Sequence, residues 1–111
     1  AKKSSGLTWD GWIMPANQGI SVRAIAPGRV MIADWLRGYG MLIIIDHGEG
    51  YLSLYGYNET LLIQEGQWVN SGDNIATVGN TGTNATSALY FALKKNTTAL
   101  NPSSWLSKTV R

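Results

Sequence analysis

Chemistry at a protein site needs lone pairs, transferable protons or thiolates, and this 111-residue chain is short of all three. It has no cysteine, which excludes disulfides, thiolate nucleophiles and every cysteine-based zinc site together. Its single histidine, His47, has Asp46 beside it and Glu49 two positions on, so two carboxylates lie near one imidazole. One imidazole sets a low ceiling on hydrolase chemistry, because a histidine-rich zinc site or a set of catalytic histidines needs more than one. A Ser-His-Asp triad built on His47 has no nucleophile-elbow motif behind it. His47 instead leads into Gly48-Glu49-Gly50, a turn sequence, and its reading is structural, at the mouth of a hairpin.

Charge and hydropathy exclude further classes. Nine Lys and Arg against seven Asp and Glu give a net charge of +2, and the only adjacent basic pairs are Lys2-Lys3 and Lys94-Lys95. Nucleic-acid binders carry a basic stripe or face, so none is expected here. No apolar run, Met41 to Ile45 among them, comes near the roughly 20 residues of a membrane-spanning helix, and no span is expected. A composition of 44% hydrophobic and 14% charged residues is apolar enough to bury one core, and the length suits one domain.

The elements that must position any site are strands. Thirteen glycines punctuate short runs of Val, Ile, Leu and Tyr, and no ten-residue stretch keeps a clean helical period. The expected fold is all-β, a compact antiparallel sheet of barrel or sandwich form. Candidate strands are 21–26, 29–35, 40–46, 51–57, 68–69, 74–78 and 89–95. Hairpin turns are expected at Pro27-Gly28 and at 47–50. By alternation, Leu52 and Leu54 face one way with Tyr51, Ser53, Tyr55 and Tyr57 opposite; Leu89, Phe91 and Leu93 face the core with Ala88, Tyr90, Ala92 and Lys94 outward. Both strands then turn tyrosine away from their aliphatic side. Residues 81–87 read as an exposed loop, Asn101-Pro102 as a turn, and Trp105-Leu106 as a terminal apolar clasp. Residues 1–7 read as a disordered lead and 8–111 as the domain.

Several ordered motifs carry a resemblance. Gly19-x-x-Val22-x-Ala24-x-x-x-Gly28-x-Val30 comes first, followed by Gly38-Tyr39-Gly40 and a strand ending Asp46-His47-Gly48. Leu54-Tyr55-Gly56-Tyr57, glycines at 66, 72, 79 and 82, Leu89-x-Phe91 and Asn101-Pro102-x-x-Trp105-Leu106 complete the set. Together, over about residues 8 to 107, they resemble the LytM or lysostaphin-type zinc metallopeptidase domain. Ala33-Asp34-Trp35-Leu36-x-Gly38-Tyr39-Gly40 and Ser53-Leu54-Tyr55-Gly56-Tyr57-Asn58 are similar to its non-catalytic branch, the activators of cell-wall amidases.

The resemblance implies where a zinc site would lie. Active members hold zinc with a His-x-x-x-Asp pair and the second histidine of a His-x-His strand, while a Tyr-x-His histidine and the first of the His-x-His pair assist the water. These positions fall on Trp9, Ile13, Tyr90, Tyr57 and Ala88. An indole, an alkyl group and a neutral phenol do not replace three zinc ligands, and water without the metal lacks its lowered pKa. The expectation is a pseudo-metallopeptidase with no catalytic residues, metal or cofactor. Trp9, Trp12, Ile13, Tyr39, Leu42, Tyr57 and Tyr90, with Asp10 and Lys94 for charge, are expected to line an aromatic groove that takes a partner's apolar side chains. The resemblance further implies a Gram-negative periplasmic setting, an upstream coiled coil outside this chain, and a partner amidase whose regulatory helix enters the groove. A different class remains open beside it, a module binding peptidoglycan by stacking Trp and Tyr on glycan or stem peptide. A carrier-domain reading needs a lysine at a hairpin tip, and no lysine lies between Lys3 and Lys94.

Overall fold

The computed structural model describes residues 7–8, 11–79, 87–96 and 98–100, and the side chains of 13–79 and 87–96. The expected loop at 81–87, the turn at Asn101-Pro102 and the clasp at Trp105-Leu106 lie almost wholly outside these residues, as does most of the expected lead.

The described residues form ten strands and no helix. In chain order they are β1 (Leu7–Thr8), β2 (Gly11–Pro15), β3 (Ser21–Arg23), β4 (Gly28–Leu36) and β5 (Gly40–Gly48), then β6 (Tyr51–Leu61), β7 (Trp68–Val69), β8 (Asn74–Val78), β9 (Ala88–Lys95) and β10 (Thr98–Leu100). Every pairing is antiparallel. The main path runs β1-β2-β9-β6-β5-β4-β7, with β8 joining β3 to β6 and β10 joining β9. The all-β antiparallel architecture is the one the glycine-punctuated sequence calls for.

β6 is the strand on which the fold turns. Its first half, Tyr51–Gly56, pairs with β9, and its second half, from Asn58 to Leu61, pairs with β8. The change of partner falls at Tyr57, which adopts φ +69, where the ladder to β5 also slips between Met41 and Ile43. An extra residue in one strand bends it and tightens its twist, so the sheet folds over instead of staying flat. Asn58 staples the bend: its fully buried amide donates 2.9 Å bonds to the carbonyls of Met41 and Tyr55. Between the folded layers lies the larger core, built from Val22, Ile43, Ile45, Tyr55, Ile75 and Phe91 with their neighbours.

Three expectations are corrected here. Pro27-Gly28 is not a hairpin turn, because β3 pairs with β8 while β4 pairs with β5 and β7. Gly28 opens β4, and the reason for glycine is close approach: an added Cβ would sit 2.6 Å from the Asp46 carbonyl oxygen and 2.9 Å from His47 Nδ1. The alternation assumed for the 51–57 strand also fails. Tyr55 points into the larger core, and the bulge carries Tyr57 to the opposite face with Leu54. Finally, β1, β2 and β10 escape the hydrophobic pattern. Gly11-Trp12-Ile13-Met14-Pro15 has no alternation to mark it, and it is a strand because β9 offers it a ladder from Phe91 to Ala88. The turn at 47–50 joins β5 to β6 as expected, with Gly48, Glu49 and Gly50 all at positive φ.

Candidate functional site

Residues paired across adjacent strands share a face of the sheet, so the register lays out the site. On the face opposite the larger core, Ile32, Ile44, Leu54 and Ala92 form one row across four strands. Beside it, Gly56 stands opposite Tyr90, and Tyr90 opposite Ile13. Toward the other end, Trp68, Arg29, Asp46, Leu52 and Lys94 form a row across five strands. Leu42, Leu54, Tyr57, Ala88, Tyr90 and Ala92 pack into a second apolar cluster, against which Ile13, Tyr39, Ile44 and Leu52 lie half-buried.

Three tyrosines form the heart of this cluster. The Tyr90 ring is flanked by Tyr39 at 5.0 Å and Tyr57 at 5.9 Å between centroids, both tilted near 50°, the geometry aromatic quadrupoles favour. Gly56 makes the space: a Cβ there would press on Tyr90 at 3.1 Å and on the Tyr39 carbonyl at 3.2 Å. The Tyr39 carbonyl also accepts a 2.7 Å bond from the Tyr57 amide, tying the 36–39 turn to the bulge. A tyrosine at positive φ is costly, and it persists because this bond and the Asn58 staple over-determine the backbone.

The residue-by-residue placement is uneven. Tyr39, Leu42, Tyr57, Tyr90 and Ile13 are brought together in one cluster. Tyr90 is 0%, Leu42 1% and Tyr57 4% exposed, so they underlie the surface, while half-buried Ile13, Tyr39, Ile44 and Leu52 reach it. Lys94 sits two residues past Ala92, opposite Leu52, at the far end from Tyr90. Trp12 pairs through its backbone with Phe91, and Trp9 and Asp10 lie outside the described residues.

A zinc ion does not fit what is present. The positions to which the resemblance assigns the family's ligands and catalytic histidines, where described, carry an alkyl side chain (Ile13), a methyl group (Ala88) and two buried phenols (Tyr57, Tyr90), packed in one cluster. None offers the imidazole or carboxylate lone pairs zinc takes. Among the described residues no group of three or more His, Cys, Asp or Glu stands close enough to hold a metal.

A polar chain on the other side of the sheet was not legible in the sequence. His47 Nδ1 lies 2.7 Å from the Pro27 carbonyl, its Nε2 2.7 Å from Ser53 Oγ, and Ser53 Oγ 2.7 Å from the Tyr55 hydroxyl. The Ile25 amide donates to that hydroxyl at 3.2 Å. A carbonyl only accepts, so Nδ1 carries the hydrogen; with the imidazole neutral, Ser53 donates to Nε2 and Tyr55 donates to Ser53. Every member then has a partner, which accounts for a fully buried serine beneath a structural histidine. The only sequence signal was the Ser53/Tyr55 spacing, and nothing in it pointed to His47.

Burial pushes the Tyr55 phenol from 10.0 up to about 12, although its hydrogen bonds with Ser53 and the Ile25 amide pull it down. Between pH 10 and 12 the unfolded chain therefore releases a proton that the folded chain keeps, and stability falls as pH rises. The expected loss approaches about 2 to 3 kcal/mol across that window. Urea unfolding at stepped pH should show it in the wild type and not in Tyr55→Phe; equal slopes would rule out Tyr55 as the cause.

Comparison with known proteins settles the lineage. The sequence profile described as peptidase family M23 matches residues 7–102. The chain belongs to peptidase family M23. Its relatives within the family are informative about role. This M23 chain is 44% identical over 102 residues, 92% of its length, to the murein hydrolase activator EnvC of Escherichia coli, and 45% identical over 91 residues, 81% of its length, to the murein hydrolase activator NlpD of that bacterium. It covers 24% of each, so it spans about a quarter of the length of these relatives. Among solved structures, the catalytic domain of lysostaphin from Staphylococcus simulans superposes with a TM-score of 0.81 at 26% identity, over 96% of this chain and 84% of that one. The fold is thus the M23 peptidase fold, while the two relatives just described are named activators and not peptidases.

Proposed function

We propose that this M23 domain is a non-catalytic activator of a peptidoglycan amidase, acting in the Gram-negative periplasm in the splitting of cell wall at division. The observation that carries the reading is the packed cluster of Tyr39, Tyr57 and Tyr90, two of which, Tyr57 and Tyr90, stand where the resemblance assigns the family's histidines. The 44% identity to a protein named as a murein hydrolase activator supports it. The partner surface is the outer sheet face: half-buried Ile13, Tyr39, Ile44 and Leu52 present an apolar strip, with Lys94 at one end. Such a strip suits the apolar side of an amphipathic helix, which offers anchors at i, i+3, i+4 and i+7. A regulatory helix of the amidase, held here and away from the amidase's own active site, leaves that enzyme open. The groove need favour the opened amidase over the closed one by only a few kcal/mol, because about 5.5 kcal/mol already moves a population from 1:99 to 99:1.

The deciding experiment mixes the purified chain with candidate amidases and follows dye release from labelled sacculi. The chain alone should release nothing, with or without added zinc, and metal analysis after dialysis should find no stoichiometric zinc. With its cognate amidase, release should rise at least about tenfold. Release by the chain alone that requires zinc and stops with chelator would overturn the proposal.

A further inference from the structure

We infer a second, separate binding site, a saccharide subsite that stacks an N-acetylated amino sugar on Trp68. Trp68 is 73% exposed, the most exposed large apolar side chain among the described residues, although a free indole surface is costly in water. It lies beside a cleft of about 510 Å³ lined also by Arg29, Asp46, His47, Val69 and Asn70. The volume falls in the range of small-molecule sites. The inference goes beyond the activator reading and does not depend on it, since the cleft lies past Asp46, at the end of the sheet face away from the tyrosine cluster.

The backbone that carries the indole is held in place. Gly28 and Arg29 pair with Val69 and Trp68. Around them the Val30 amide donates to the Gln67 carbonyl at 2.9 Å, the Gly66 amide to the Val30 carbonyl at 2.8 Å, and the Asn70 amide to Asp73 at 2.8 Å. The Arg29 guanidinium carbon sits 6.0 Å from the Trp68 ring centre while its Nε donates to the Gly66 carbonyl. Preorganisation of this kind lowers the entropy cost of binding.

The surrounding chemistry selects the ligand class. A sugar ring has an apolar C–H face for an indole and, around its rim, hydroxyls that both donate and accept. The cleft supplies a donor fork in Arg29, an acceptor in Asp46 and an amide in Asn70, which does both. Asp46 gives one carboxylate oxygen to the Gly48 amide at 2.9 Å, and the other has no partner among the described residues. Arg29 and Asp46 cancel in charge, which disfavours a polyanion or a polycation. His47 adds only its ring surface, because Pro27 and Ser53 occupy both nitrogens. An amide that donates and accepts matches an acetamido group, and amino-sugar chains make up the murein named in the activator relatives.

The test is an NMR titration of the indole resonances of the whole chain with the tetramer of N-acetylglucosamine. A saturable shift of the Trp68 indole is expected. Trp68→Ala should weaken binding of the same tetramer, followed by the remaining shifts, about tenfold or more, with Trp68→Phe intermediate. Trp35→Ala, which removes another indole that is 57% exposed on β4, should leave affinity unchanged. Trp68→Ala should keep the amidase activation of the wild type, so failure of the sugar site and failure of the activator reading are separately visible. No saturable shift in the wild type, equal affinity in Trp68→Ala, or loss of amidase activation in a folded Trp68→Ala protein would each overturn the inference, the last by making the cleft a protein contact.

Discussion

Replacing Tyr90 by alanine is expected to destabilise the fold by about 3 to 5 kcal/mol, the cost typical of removing a fully buried aromatic ring. Tyr90 has no exposed surface, and its ring touches those of Tyr39 and Tyr57. Gly56 has no side chain with which to fill the space left behind, and the stapled bulge at Tyr57 hinders collapse into it. For a domain of this size the loss corresponds to a fall in melting temperature of roughly 15 to 30 °C, a large share of a typical total stability. Tyr90→Phe keeps the ring and should cost about 1 kcal/mol or less. Urea and thermal unfolding of both variants check this. A Tyr90→Ala protein melting within a few degrees of wild type would mean that the cluster is loosely packed and that the proposed partner surface has no firm support.

Placing a carboxylate at Ile13 is expected to abolish amidase activation without creating catalysis. Ile13 stands opposite Tyr90 in the ladder between β2 and β9 and packs half-buried on the apolar cluster. Ile13→Asp restores the carboxylate that the resemblance assigns to this position, but its neighbours are phenols and aliphatics that can neither share a metal nor supply a positive charge. The desolvation penalty, about 1 to 3 kcal/mol, falls on the folded chain and again on any complex that covers the site. Activation in the dye-release assay should drop at least about tenfold, while Ile13→Leu should keep it. Circular dichroism must first establish that both variants fold. A folded Ile13→Asp protein that activates like wild type would place the partner elsewhere on the molecule, and stoichiometric zinc in it would contradict the misfit of the donor set.

Much of the architecture could be read from residue order because β-structure is signalled locally. Turn glycines and short β-branched runs located seven of the ten strands, and the 47–50 turn was legible from Gly48 and Gly50 flanking Glu49. The three strands missed, β1, β2 and β10, have no alternation of their own. They are short segments made into strands by the neighbours that pair with them: β1 folds back on β2 and β10 on β9, while β2 itself pairs with β9 far along the chain, as between Ile13 and Tyr90, which leaves no local trace.

The site divides in the same way. Residue types alone determined that one histidine and no cysteine cannot build the family's metal centre, since ligand chemistry belongs to the side chain whatever its surroundings. The family resemblance also brought Tyr57 and Tyr90 under consideration. Only the tertiary structure decided that Tyr55 and Tyr57, two apart and expected on one face, point to opposite faces. The reason is that alternation is a property of regular backbone, and Tyr57 at φ +69 breaks the regularity at the point where β6 exchanges β9 for β8. In the same way, only the folded chain could bring His47 of one strand against Ser53 and Tyr55 of the next, and set Trp68 of a two-residue strand beside Arg29 and Asp46. Those groupings depend on register between strands, which is fixed by the packing of both faces together and not by any one segment of the sequence.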